Sequence, residues 1–181
     1  MPMLQELDFS ILYWIQDRLR CTALDWIMPK LTLLGELGAI WIILALVMVS
    51  TRKFRRGGLT LAAGLLCSLL VGNLLLKPLV ARPRPCWIDT AVTLLVAVSG
   101  DYSFPSGHSL SAFIAAVILL RYDRRFGIPA LALAVLIAFS RLYLFVHFPS
   151  DVAAGLILGV GIGLAVSLLM EKLLRRREEW V

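Results

Sequence analysis

Apolar and polar positions fall into blocks along this chain. From Leu31 to Val49 only Glu36 interrupts an apolar run, and Gly57 to Leu76 carries no charge at all, with Asn73 near its end. A helix needs about 20 residues to cross a hydrocarbon core about 30 Å thick, so residues 31–49 and 57–76 are predicted spans. The same reading predicts spans at 106–120, 126–141 and 151–170. The last repeats Gly155, Gly159 and Gly163, a small-residue face suited to close helix packing. Residues 3–28 differ. Leu4, Leu7, Ile11, Trp14 and Ile15 recur at three and four positions among Glu6, Asp8, Gln16, Asp17 and Arg18. This predicts an amphipathic helix on the membrane surface or against the bundle. If it spans instead, the N-terminus changes sides. Residues 77–105 hold Pro78, Pro83, Pro85 and Pro105 with Arg82, Arg84, Asp89 and Asp101. Their apolar stretch 91–98 is too short to span, so they predict an external loop with a short helix at the interface. The expected fold is all-α: one integral membrane bundle over 1–181, with five spanning helices and an amphipathic N-terminal helix.

Composition agrees with lipid as the main solvent. Of the 181 residues 60% are hydrophobic, and the mean hydropathy is +0.86. The net charge of +6 is informative through its placement. Strongly basic junctions lie at 52–56, 121–125 and 172–177, and they share one side if five spans alternate. The positive-inside bias makes that side cytoplasmic. A bacterial inner membrane is expected, with the 77–105 loop and the Leu142–Ser150 turn outside. No basic run is interleaved with aromatics, which argues against nucleic acid. Cys21, Cys67 and Cys86 form no CxxC pair, and only His108 and His147 offer imidazoles. The cysteines therefore read as packing residues, without a zinc centre. The start of the chain has no basic residue before its first apolar ones, so a cleaved signal peptide is not expected.

Cations at the edge of a membrane are costly unless they meet an anion. In the predicted topology Lys77, Arg84 and Arg141 lie on the same face as His108 and His147, a set suited to a multiply charged anion such as phosphate. Pro105-Ser106-Gly107-His108 directly precedes a predicted span. Ser106 offers a hydroxyl, Gly107 bare backbone, and the helix start unsatisfied N–H groups. His147 and Asp151 are four apart. If the backbone turns helically there, the carboxylate can hold one ring nitrogen as N–H and leave the other as a nucleophile.

These residues resemble the motifs of the type 2 phosphatidic acid phosphatase superfamily, which includes bacterial undecaprenyl-pyrophosphate and phosphatidylglycerophosphate phosphatases and the soluble vanadium haloperoxidases. The first motif appears as Lys77, six residues, then Arg84-Pro85. The second is PSGH at 105–108. The third is Ser140-Arg141, five residues, His147, three residues, Asp151. All three occur in order, and the surrounding hydrophobic architecture covers roughly residues 31–170.

The resemblance implies a phosphohistidine mechanism. His147 would attack phosphorus, Asp151 would orient it, and His108 would protonate the leaving oxygen and then activate water. Lys77, Arg84, Ser106, the Gly107 N–H and Arg141 would hold the phosphoryl oxygens. No metal and no cofactor are expected. Phosphate or vanadate is the expected active-site ligand, and the bilayer and a lipid phosphate are the expected partners. Undecaprenyl pyrophosphate is the first candidate substrate, with phosphatidylglycerophosphate or phosphatidic acid as the alternative and a lipid A phosphatase or phosphotransferase behind them. A haloperoxidase is disfavoured because that chemistry belongs to large soluble relatives. A non-enzymatic lipid-binding membrane protein is the reading from another class, and it would have no need of a nucleophile with its acid and base. Arg82 is equally a headgroup or a substrate contact. Asn73 is read as an interhelical hydrogen bonder, Asp101 as structural, and Trp87, Tyr102, Tyr143 and Phe148 as an interfacial belt.

Overall fold

The computed structural model describes the backbone of residues 2–178 and the side chains of 3–173. The elements are helices α1 (Pro2–Leu19), α2 (Thr22–Leu34), α3 (Ala39–Ser50), α4 (Arg55–Cys67), α5 (Lys77–Val80), α6 (Pro85–Ile88), α7 (Gly107–Tyr122), α8 (Arg124–Tyr143) and α9 (Pro149–Glu178). A π-helical stretch, Ser68–Leu76, joins α4 to α5, and a 3-10 turn, Glu36–Gly38, joins α2 to α3. No strand occurs among the described residues.

The bundle is built around α7. This helix is apolar nearly all round, and such a helix is stable only where other helices cover every side. Its residues from Ser109 to Ala116 are all buried, with α8 and α9 packed along it and α4 beside it. The glycine face of α9 makes the closest approach. A Cβ on Gly155 would lie 2.8 Å from the Ser106 carbonyl oxygen, and one on Gly159 would lie 2.9 Å from that of Leu110. Backbones therefore meet where the small-residue spacing predicted.

Arg55–Ile88, Arg124–Tyr143 and Pro149–Leu173 are long and apolar enough to cross a membrane, and the α2–α3 pair makes a fourth if its bent halves count as one. The expected uninterrupted run over 31–49 is broken. Leu37 and Gly38 adopt positive φ (50° and 71°), and the two halves bend by 41°. Gly38 suits that conformation; Leu37 adopts it while almost fully exposed. The helix expected over 3–28 is also two helices, because Cys21 is extended (φ −155°, ψ 158°) where α2 begins. The short helices of the 77–105 loop are α5 and α6, and the apolar stretch 91–98 is not helical.

The three basic junctions share one end of the bundle. The Tyr122 hydroxyl donates to the Lys53 carbonyl at 2.8 Å, Phe54 packs edge-on against Phe126, and Arg121 lies 3.6 Å from Glu171. At the opposite end α1 covers the turn between α8 and α9. Leu12 and Ile15 are buried against Tyr143, Phe145 and Phe148, and Phe9 meets Phe148 edge-on at 5.1 Å. Tyr143 and Phe148 are thus core residues rather than members of a belt. Trp87 and Tyr102 are exposed and contact each other.

Candidate active site

His147 sits in the turn between α8 and α9. Pro149 opens α9, where its missing N–H costs nothing, and this puts Asp151 in the first turn, below His147. The two are too far apart for a direct hydrogen bond: Nδ1 of His147 is 3.8 Å from Oδ2 of Asp151. Ser103 stands between them. Its hydroxyl donates to Oδ2 of Asp151 at 2.5 Å, and its oxygen lies 3.3 Å from Nδ1. The four-residue spacing thus brings carboxylate and imidazole to one side, and a loop hydroxyl completes the link. The same Oδ2 accepts from the Phe148 N–H at 2.9 Å.

On the other edge of the ring, Nε2 of His147 is 3.1 Å from a terminal nitrogen of Arg84. Arg84 is almost wholly buried and tightly held. It donates to the Val146 carbonyl at 2.8 Å, to the Asp101 carbonyl at 2.9 Å and to Oδ1 of Asp101 at 2.6 Å. Lys77 pairs with the other oxygen of the Asp101 carboxylate. Burial and the nearby charges of Arg141, Arg84 and Lys77 push the His147 pKa well below 6.5. Burial alone would raise the Asp101 pKa. Hydrogen bonds from Lys77 and Ser99 and the charges of Lys77 and Arg84 outweigh it and hold the carboxyl well below the usual carboxylate range.

His108 lies in the first turn of α7. Its Nε2 is buried without a hydrogen-bond partner, with the Glu36 carboxylate 3.8 Å away. Gly35 leaves the room it needs, since a Cβ there would sit 2.8 Å from its ring. Arg141 donates to the Thr32 hydroxyl, and its Nε has no partner. Gly107 lets Asn73 approach: a Cβ at 107 would lie 3.2 Å from Oδ1 of Asn73 and 3.9 Å from the Lys77 nitrogen.

Lys77, Arg84, Gly107, His108, Arg141 and His147 line one cavity of about 950 Å³. Asp151 stands behind His147 and outside that lining. Ser106 is also outside it. It is fully buried and caps α7, accepting from the Ser109 N–H at 3.4 Å and hydroxyl at 3.0 Å. From the polar end the cavity continues between α3 and α4 along Ile42, Leu46, Val49, Ala62, Leu65 and Leu69.

Sequence reasoning missed Ser103, Asp8 and the placement of Arg82, and it gave Asp101 no part in the site. Arg82 is not among the residues that line the cavity. It donates to Oδ1 of Asp151 at 2.6 Å and to Oδ2 of Asp8 at 2.7 Å. A buried carboxylate demands a cation, but the burial of Asp8 shows only in the folded chain, so the sequence carried no signal for it. Among the described residues no three His, Cys, Asp or Glu side chains gather as a metal site.

Residues 57–175 match the family model described as the PAP2 superfamily. An undecaprenyl-diphosphatase of Sulfolobus acidocaldarius is 34% identical over 66% of this chain, and the match spans 58% of that relative's length. A decaprenylphosphoryl-5-phosphoribose phosphatase of Mycobacterium tuberculosis is 37% identical, over 73% of this chain and 72% of its own. The crystal structure of a transmembrane PAP2-type phosphatidylglycerolphosphate phosphatase from Bacillus subtilis superposes with a TM-score of 0.77. It is 30% identical and covers 95% of this chain and 88% of its own.

Proposed function

Because this chain belongs to the PAP2 superfamily and is similar to phosphatases within it, we propose that it cleaves undecaprenyl pyrophosphate to the monophosphate through a phosphohistidine at His147. The observation that carries this reading is that His147, with Arg84 at its Nε2, lines one cavity together with Lys77, Arg141 and His108, whose own Nε2 has no hydrogen-bond partner.

Nε2 of His147 attacks the terminal phosphorus. The P–O bond to the lipid monophosphate breaks, and protonated His108 gives its proton to that leaving oxygen. His108 then takes a proton from water. The resulting hydroxide attacks phosphorus, the P–N bond breaks, and inorganic phosphate leaves with His147 restored. Through these steps the fixed charges of Lys77, Arg84 and Arg141 and the Gly107 N–H balance the phosphoryl oxygens, a task that metal ions perform in other phosphoryl-transfer sites. Asp151 balances the imidazolium character of His147 through Ser103. Ser106 acts by capping α7 and so presenting its first turn.

A long single chain suits the cavity beyond the phosphate site. Its lining between α3 and α4 is apolar and reaches Val49, in the last turn of α3. Leu46 and Leu69 at its rim are exposed, so the groove opens toward lipid. Similarity to an undecaprenyl-diphosphatase and to a decaprenylphosphoryl-5-phosphoribose phosphatase points the same way. A phosphatidylglycerophosphate phosphatase is the second reading, favoured by similarity to the Bacillus subtilis structure over most of the chain. In either case α7 serves as the fifth crossing helix, and the basic end of the bundle faces the cytoplasm with the site outside.

Purified protein in detergent with EDTA tests the chemistry. Wild type keeps its turnover, and His147→Ala loses it and forms no phosphoenzyme. Abolition by the chelator, or a fully active His147→Ala, defeats the mechanism. A panel of undecaprenyl pyrophosphate, phosphatidylglycerophosphate and phosphatidic acid, ranked by kcat/KM, decides the substrate.

A further inference from the structure

We propose that Asp8, on the N-terminal helix, is a positioning residue for His147 that acts through Arg82 and Asp151. Helix α1 presents mostly exposed polar side chains, yet Asp8 is 2% exposed. A carboxylate leaves water at high cost unless it is fully paired. Its Oδ2 accepts from Arg82 at 2.7 Å and from the Ser150 hydroxyl at 2.5 Å, and its Oδ1 accepts from the Ser150 N–H at 2.9 Å. Arg82 spends its other arm on Oδ1 of Asp151 at 2.6 Å and on the Ser150 hydroxyl at 2.7 Å. Its guanidinium lies over the Phe148 ring at 4.1 Å.

The chain of contacts has a direction. Asp151 is linked to His147 by hydrogen bond through Ser103, on Oδ2, which also accepts from the Phe148 N–H; with that oxygen anchored, the tilt of the carboxylate is completed by what holds Oδ1, and that is Arg82. Arg82 could serve Asp151 from several rotamers. Asp8 and Phe148 leave it one, because a rigid fork with both arms engaged cannot swing. Asp8 also divides the positive charge of Arg82 between two carboxylates. Without it that charge falls on Asp151 alone and weakens the pull of Asp151 on the Nδ1 proton. Helix α1 is thereby part of the reacting geometry as well as a cover for the 144–148 turn.

The proposal rests on His147 as the nucleophile, and rapid-quench measurement of the phosphoenzyme tests both. Asp8→Asn is expected to slow phosphohistidine formation and kcat by roughly tenfold to a hundredfold, the scale of a small misplacement of a reacting group, with KM unchanged. Glu6→Gln, at an exposed acid on the same helix, leaves both rates alone. Since Asp8 works through Arg82, Asp8→Asn combined with Arg82→Gln is no slower than Arg82→Gln by itself; multiplying effects overturn the relay. Should Asp8→Asn fail to fold, Arg82→Lys supplies the test, because one ammonium cannot hold both carboxylates in a fork, and an undiminished rate overturns the proposal. A His147→Ala variant that still turns over defeats the nucleophile assignment itself. An inactive His147→Ala with a full-speed Asp8→Asn defeats only the role of Asp8.

Discussion

Arg84 donates a guanidinium N–H toward Nε2 of His147 at 3.1 Å, and because arginine has no acceptor this ring nitrogen must be bare. The ring proton then belongs on Nδ1, facing Ser103 at 3.3 Å. Burial, followed by the charges of Arg141, Arg84 and Lys77, holds the pKa well below 6.5, so the ring stays neutral where a solvated histidine is mostly protonated. With only two histidines in the chain, nitrogen-15 NMR of the His108→Gln protein in micelles at about pH 6 reads His147 alone. A neutral ring protonated on Nδ1 is expected. Arg84→Gln removes a cation, so the pKa should rise toward its ordinary value; a protonated ring in the parent at that pH contradicts the assignment.

Asp101 occupies the two cations that a phosphoryl group needs. Its carboxylate bridges Lys77 and Arg84, and the acid form is held far below neutrality, so this competition persists throughout the physiological pH range. Asp101→Asn should tighten inhibition by vanadate or phosphate by about two- to fivefold, the scale of a partly solvated ion pair, and should slow product release. Weaker inhibition would mean that Asp101 chiefly holds the two cations in place.

The parts of this site legible in the sequence are those fixed by local geometry. His147 and Asp151 lie a helical turn apart, and Gly107 and His108 open a helix, so spacing alone places them. The long apolar helices that contain 57–76, 126–141 and 151–170 followed from apolar length, and the contact of α9 with α7 followed from Gly155, Gly159 and Gly163. What was not legible depends on tertiary contact. Ser103 and Asp101 lie in a loop with no periodicity, and Asp8 reads as one more polar residue of an amphipathic helix until Arg82 is seen beside it. The breaks at Cys21 and at Leu37–Gly38 follow backbone geometry that apolar patterning does not encode.

The groove between α3 and α4 makes a separate claim about the lipid tail. Ala62 is exposed on its wall and distant from the phosphate site in sequence and along α4. Ala62→Trp should raise KM for a long polyprenyl pyrophosphate by roughly tenfold, about the binding free energy lost with one blocked apolar subsite. Hydrolysis of a short-chain soluble isoprenyl pyrophosphate should be unaffected. Equal effects on both substrates would place the tail elsewhere.

Helix packing and chemistry are coupled through α9, which carries both Asp151 and the glycine face. A Cβ at Gly159 would lie 2.8 Å from the Phe113 Cβ and 2.9 Å from the Leu110 carbonyl oxygen, neither of which can rotate away. The cost must be met by moving α9 off α7, about 1–3 kcal/mol for an overpacked contact. That motion also strains the bond at 3.2 Å from the Ser106 N–H to the Asp151 carbonyl, which ties the two motif segments together. Gly159→Val should therefore lower both the melting temperature in detergent and kcat. Gly161, on the same helix, has nothing within 4 Å of its Cβ position, and alanine there should stabilise slightly through helix propensity. Equal behaviour of the two variants would show that the glycine contact does not set the position of α9.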